Sequence, residues 1–597
     1  MRAREFLSSA AISLLSMAAA SAATSSAAGS MDTMGPNAER GARYIVQAAN
    51  LRSARRDIVR VGASVQQNLQ IINAASAYLD PRQAARLRKT PGVHVFEDRS
   101  LTTEGSGLLG LLSPITQPVV MTVSSLTTPA DGNGELLPTL LYQTNYPMLV
   151  GADTLQQAGI TGKGVTIAVL DSGLWQDPMQ NYGSRLLATI DVVNGGSGRV
   201  TGDGYGHGTH VTSIAAGGAM NLSGNYLSIA PKANVVEVQA FNATGAGRYA
   251  DVIAGIDWIV ANKKKYNIRV LNLSFGATPE SYYWNDPVDQ AVMAAWAAGI
   301  VVVAAAGNEG PGPMTIDVPG NVPYVITTGA LTDNYTPYNP SDDRLASFSS
   351  TGPTYEGFVK PEVVAPGGHI VASMSSSSYL ANIDPGSMIL TEQMFTMSGT
   401  SMAAAVTTGV VALMLQSDPA LTPDQVKCRL LASAAPAITS GRKLAYSVFQ
   451  QGAGLINAVS AVNSSAANCA NLGLNIAADL AGTEHFGGPA NQAANGTYYI
   501  MNMTGPAWST APQVSDGYTW DEGYAMDKGY SWSQGYVWSQ GYSWTQGYVW
   551  TNSYTWAKSY TWAKSYTWAK AVPWWNSSKS PGGVTTPASI ENWVPNQ

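Results

Sequence analysis

Only two cysteines, Cys428 and Cys469, occur in 597 residues, so a disulfide-dense scaffold and a four-cysteine zinc site are both excluded. One disulfide between them and two unrelated thiols both fit the count. Charge is also scarce. Charged residues make up 12% of the chain, about half of the roughly 25% usual for a soluble globular protein, while 45% are hydrophobic. Such a composition fills at least one large core and excludes wholesale disorder. Residues 1–30 contribute +1 and residues 31–100 contribute +5 toward a whole-chain charge of -6, so residues 101–597 carry -12. An acidic bulk lacks the basic face that a nucleic-acid binder needs, and a basic block ahead of it suggests two parts of one chain that attract each other. Past the N-terminus the longest apolar run is the one to weigh as a membrane span. That run, 291–307, reads as an Ala-rich helix, a break at Gly299 and a strand from Val301, which suits a buried α/β unit.

The N-terminus has Arg2 and Arg4, an apolar stretch from Phe6 to about Ala20, and small residues Ala20 to Ala23 that suit signal-peptidase cleavage. Residues 1–23 therefore read as an export signal, and the expected location is secreted or extracellular, with association to the cell surface as a variant. The h-region is short, Ser-rich and without a stop-transfer charge cluster, which argues against an anchor.

Residues 42–102 read as a small α+β, ferredoxin-like module of order βαββαβ, with strands near Tyr44–Val46, between Asn68 and Leu79, and at Val93–Phe96. Helices are expected around Arg55 to Val61 and after Asp80, where Asp80 can cap and Pro81 suits the first helical position. Residues 103–146 are rich in Gly, Ser, Thr and Pro without periodicity, as in an exposed linker open to proteolysis. From Lys163 three apolar strands each end in a polar signature: VTIAVLDSG (165–173), RVLNLSFG (269–276) and IVVVAAAGN (300–308). These read as parallel strands buried on both faces, beyond whose carboxyl ends ligands bind in open α/β sheets. Asp171, Ser274 and Asn308 are expected to emerge there together. Two further motifs open helices: HGTHVTSIAAG from His207, and GTSMAAAVTTGVVALML, which sets Ser401 at a helix start where negative charge is favoured.

Each of these residues alone has a bland reading, as a turn former, a core histidine or a helix cap. Together DSG, HGTH, AAAGNEG and GTSMA bring Asp, His, Asn and Ser to strand ends and helix starts in that order. In this the stretch 147–462, with KPEVVAPG at 360–367, resembles the subtilisin-like serine peptidases (subtilases). The module at 42–102, ending in PGVHVFED, resembles their inhibitory propeptide. The resemblance implies a parallel-sheet catalytic domain with helices on both faces, and a triad of Ser401 as nucleophile, His207 as base and Asp171 as its orienting carboxylate. It implies Asn308 as an oxyanion donor. It also implies that Ser274, Phe275 and Gly276, with Ala304, Ala305, Ala306 and Gly307, bind an extended peptide and wall the pocket before the cleaved bond. Small residues there leave room for a sizeable apolar side chain. The substrates implied are proteins or peptides, with the chain's own propeptide as inhibitor and no cofactor for the chemistry. Structural calcium is common in the resembled family, but no loop of calcium-binding spacing is recognisable. His207 and His210 with Asp171 have no further ligand cluster, so no metal site is expected. One departure is that Ala404-Ala405-Val406 follows GTSMA where the family usually has a proline.

After a C-terminal extension (463–516), a six-residue unit runs nine times over 517–570, from GYTWDE to SYTWAK, ahead of a tail at 571–597. Tyr and Trp alternate at i and i+2, so an extended segment carries its aromatics on one face. Such a stripe suits carbohydrate or cell-surface contact, self-association, or a sheet packing its own rings. The rival to a peptidase is a catalytically silent surface protein that uses these repeats as its working part.

Overall fold

A computed structural model describes residues 41–103 and 146–500, apart from 197, 201, 335–341, 390–392, 440–443 and 493–497, together with the backbone of 524–525. The expected export signal, nearly all of the expected linker and the aromatic repeats other than that dipeptide lie outside the described residues.

The N-terminal module has the expected order: β1 (Ala42–Gln47), α1 (Leu51–Arg60), β2 (Val65–Leu69), β3 (Ala74–Leu79), α2 (Pro81–Arg88) and β4 (His94–Glu97), with sheet order β2-β3-β1-β4. Asp80 and Gln83 form a capping box with Pro81 at the helix start. α1 begins earlier than expected because the Asn50 side chain caps it, accepting from the Ser53 amide. Period-two alternation divides β1. Val46 joins Ile58, Leu79 and Leu87 in the module's own core, whereas Ile45 joins Leu69 and Ile72 in the core of the larger domain. The sheet is thus packed between its own helices and two helices of that domain, Tyr249–Tyr266 and Pro287–Ala297.

The larger domain is built on an eight-stranded sheet. Its path is β14 (Arg344–Leu345), β13 (Ile326–Thr332), β12 (Val301–Ala305), β10 (Ile268–Leu273), β6 (Thr166–Asp171), β8 (Asn234–Gln239) and β7 (Leu186–Asp191), with β15 (Val363–Pro366) also on β13. All pairings are parallel except β13 with β14. Every residue of β6 and β12 is buried, as continuous apolar runs in a doubly covered sheet should be. Leu170 meets Gly255 on the helix Tyr249–Tyr266, where an added Cβ would stand 2.6 Å from Leu170 Cδ1. Asn272, in register with Val169, accepts from Thr408 Oγ1 at 2.8 Å. Adjacent strand residues point to opposite faces, so Tyr249–Tyr266 and Thr400–Ser417 cover opposite sides. Thr400–Ser417 packs in turn on His207–Ala216.

One strand of the N-terminal segment leaves its own module. β5 (Ser100–Thr103) lies between β11 (Phe275–Gly276) and β9 (Ala246–Arg248), antiparallel to both. The linker expected from residue 103 therefore begins past a strand. At the other end, a disulfide joins Cys428 to Cys469 and ties the extension to the helix Pro423–Ser433. The extension adds a short helix, Ile476–Leu480, and a strand at Phe486–Gly487 whose backbone pairs with Tyr524–Ala525.

Candidate active site

Asp171 ends β6 and His207 opens its helix, and the two meet with Nδ1 2.8 Å from Asp171 Oδ1, both side chains without exposure. An ionised carboxylate only accepts, so Nδ1 carries a proton, and in the neutral imidazole Nε2 then keeps its lone pair. Nε2 is buried and has no hydrogen-bond partner among the described residues. The two motifs interlock through glycine. Gly173 has φ +118, and a Cβ on Gly208 would stand 2.3 Å from its carbonyl oxygen. The Gly208 amide donates to Ser172 Oγ at 2.9 Å.

Sequence reasoning missed the residue that fixes this helix start, Asp203. Its Oδ1 accepts from Ser172 Oγ and from the amides of Tyr205 and Gly206; its Oδ2 accepts from the Thr209 amide and hydroxyl. Glu237 on β8 was missed as well. Burial first, then the nearby Asp171 and Asp203 carboxylates, push its carboxyl well above the ordinary range. Neither carries a signature in the linear chain, since each acts through contacts made only on folding. His210 faces the Phe395 carbonyl at 2.9 Å, and burial lowers its pKa to about 3, as for a neutral core histidine.

Ser401 is the second residue of its helix and fully buried. A relay of side chains locates it: Thr408 Oγ1 donates to Asn272 Oδ1, Asn272 Nδ2 to Ser274 Oγ at 2.9 Å, and Ser274 Oγ to the Ser401 carbonyl at 3.1 Å. Ser401 Oγ donates to the Ser274 carbonyl at 3.2 Å, so in this state its proton is not shared with His207. The helix continues unbroken through Ala404-Ala405-Val406, all buried, so the missing proline alters neither its start nor its course. Asn308 follows β12. Its Oδ1 accepts from the Thr400 amide at 3.0 Å and the Thr400 hydroxyl at 3.1 Å, which leaves Nδ2 facing the Gly399–Ser401 turn. Gly399 itself is extended, at φ 166.

The substrate-binding candidates fall on two walls. Phe275 and Gly276 are the edge that pairs with Thr103 and Thr102. Ala304 and Ala305 close β12, with Ala306 and Gly307 beyond it. Sequence reasoning found neither the second flank, Ala246–Arg248, nor the segment beneath the walls, Asp317–Val318.

A parallel sheet whose carboxyl rim gathers a serine, an imidazole–carboxylate pair and a side-chain amide has the layout of an α/β serine hydrolase. A family model described as "Subtilase family" matches residues 162–454. The chain is 31% identical over 430 residues to subtilisin E of Bacillus subtilis (strain 168), covering 70% of this chain and 89% of that protein. It is 32% identical over 311 residues to subtilisin DY of Bacillus licheniformis, covering 52% and 94%. To serine protease AprX of Bacillus subtilis (strain 168) it is 42% identical over 277 residues, 45% of this chain and 60% of that protein's length. The chain belongs to the subtilase family of subtilisin-like serine peptidases.

Proposed function

We propose that the protein is an exported serine endopeptidase that acts through an acyl-enzyme and is made as a self-processing precursor. The observation that carries this reading is the buried 2.8 Å pairing of His207 Nδ1 with Asp171 Oδ1, which leaves Nε2 free to act as a base. Ser401 Oγ attacks the substrate carbonyl as its proton passes to Nε2. Asp171 holds the tautomer and stabilises the imidazolium. The oxyanion is received by the Ser401 amide and Asn308 Nδ2, a kind of side-chain donor worth about 100- to 1,000-fold in turnover, a magnitude established on subtilisin itself. The imidazolium then protonates the leaving amine, and water repeats the sequence on the acyl-enzyme.

The seat of Ser100–Thr103 supports substrate binding by strand addition, with the catalytic domain supplying both neighbours. Thr103 pairs with Phe275, the residue after Ser274, whose carbonyl accepts from Ser401 Oγ, and this supports processing within the first bonds after Thr103. The module 42–102 is the inhibitor that fills the cleft until this cut. Its basic residues meet acids of the catalytic domain: Arg43 with Asp251 at 2.8 Å, and Arg99 with Glu280 at 3.3 Å. Residues 1–23 direct export, and the repeats at 517–570 hold the mature enzyme to a surface or carbohydrate.

A serine-directed phosphonate tests the chemistry. Labelling of Ser401 that is lost in His207→Ala is the expected result; an unlabelled wild-type protein overturns the assignment. The Ser401→Ala precursor purified alone should stay full length, and spontaneous loss of its N-terminal module would refute self-processing.

A further inference from the structure

We infer that the pocket before the scissile bond is built for a cationic side chain, with Asp317 as its floor, so that the peptidase prefers to cut after Lys or Arg. This rests on the peptidase reading and narrows its substrate class.

The floor follows from backbone pairing. One wall is Phe275–Gly276, immediately after Ser274, whose carbonyl accepts from Ser401 Oγ. The other is Ala304–Gly307, leading into Asn308. The Asp317 amide donates to the Ala306 carbonyl at 3.1 Å. Val318, the next residue, exchanges both backbone hydrogen bonds with Ala277, directly beyond Gly276, at 2.8 and 3.2 Å. Residues 317 and 318 therefore join the two walls. Gly276, Ala304, Ala305, Ala306 and Gly307 occupy little of the space between them. The Asp317 carboxylate lies against Gly307, where an added Cβ would stand 2.8 Å from Oδ2.

That carboxylate is 8% exposed and has no hydrogen bond or ion pair among the described residues. A buried carboxylate without a partner is costly, and an apolar guest would leave it so. A guanidinium or ammonium brought by a substrate supplies the missing charge and donors. The groups that bear on it electrostatically are Glu309, Arg99 and Tyr355. Burial first, and Glu309 second, push its pKa up to about 8, while Arg99 opposes them. With the N-terminal module and its Arg99 in place that carboxyl is held above the ordinary range, and in its protonated form it tolerates uncharged residues. Preference for a cation should strengthen as pH rises, because the ionised fraction grows.

The precursor is consistent with this. Residues 104–145 contain no Lys or Arg, so the first cut proceeds without the preferred side chain. It is intramolecular, and effective molarities on the order of 10⁵ M or more offset a poor fit that separate substrates must overcome by binding.

The test uses the processed enzyme and paired peptides that differ only in Arg or Leu before the cut. Expected is a kcat/KM ratio of about 10 or more in favour of Arg at pH 7.5, larger at pH 9, falling toward unity in Asp317→Asn. A wild-type preference for Leu, or a ratio that Asp317→Asn leaves unchanged, overturns the proposal. Should Asp317→Asn fail to fold, the cuts that wild type makes in a denatured protein decide alone: enrichment of Lys and Arg supports the pocket, and their absence refutes it. Failure of the peptidase reading looks different, since wild type then cleaves neither peptide and takes no phosphonate at Ser401.

Discussion

Gly208 and Gly173 approach so closely that a methyl group on Gly208 would stand 2.3 Å from the Gly173 carbonyl oxygen and 3.0 Å from its amide nitrogen. Both contacts are with backbone, which cannot step aside as a side-chain tip can. The helix that begins at His207 is therefore set against the end of β6 by the absence of a side chain. Gly208→Ala should displace His207 from Asp171, lowering kcat/KM at least about 100-fold and stability by about 1–3 kcal/mol. Peptide turnover and thermal unfolding check this, and a fully active, equally stable variant would show that the helix can shift without loss.

Asp171→Asn keeps the shape and changes the tautomer. An amide at position 171 can offer its NH2 to Nδ1, which moves the imidazole proton to Nε2 and leaves no base for Ser401. A fall in kcat on the order of 10⁴ is expected with little change in unfolding temperature. Turnover reduced less than tenfold would mean that His207 does not act through this pair.

What was legible in the chain was whatever local chemistry dictates. Asp80-Pro81 announces a helix start because the carboxylate caps and proline has no amide hydrogen to leave unpaired, and the capping box is there. The apolar run ending in DSG reads as a buried strand with a polar tip, and it is β6. Residues whose role comes from remote partners were not legible. Asp317 becomes a floor only because Ala306 and Ala277, far off in sequence, pair with it and its neighbour. The strand at Ser100–Thr103 was not legible, and Thr103 reads as the start of a linker, because its strand character comes from two edges of another domain. Asp203 is one more loop aspartate until five donors converge on it.

The disulfide Cys428–Cys469 closes a separation of 41 residues. Beside it Lys427 Nζ, fully buried, donates to Asn471 Oδ1 and the Pro323 carbonyl, both at 2.9 Å, and pairs with Glu362 at 3.0 Å. Opening the bridge thus frees a segment that partners a buried ammonium. In the chain-entropy account the cross-link contributes about 4 kcal/mol. Cys428→Ser/Cys469→Ser should lose about that much stability in denaturant unfolding, while the probe still labels folded Ser401. An unchanged midpoint would mean that the extension is held by packing alone.

Asp98 makes the seating of the N-terminal module sensitive to pH. Its carboxylate accepts from the Ala250 amide at 2.8 Å and pairs with Arg43 at 3.0 Å, a contact outside hydrogen-bond geometry. Burial is the largest influence and raises the pKa from 3.8 to about 6, against the opposing pull of Arg43 and the Ala250 amide. A carboxyl whose pKa is raised in the docked state holds its proton more tightly there than when hydrated, so docking is strongest below about pH 4 and weakens as pH climbs through 6. Set against a hydrated Asp98 in the released module, the two-unit shift corresponds to a weakening on the order of 100-fold. Size-exclusion of the processed complex should show the module retained at pH 4.5 and shed at pH 7.5. Asp98→Asn still offers an oxygen to Ala250 but does not titrate, so it should flatten the profile. If the variant keeps the wild-type dependence, the pH response lies in another group.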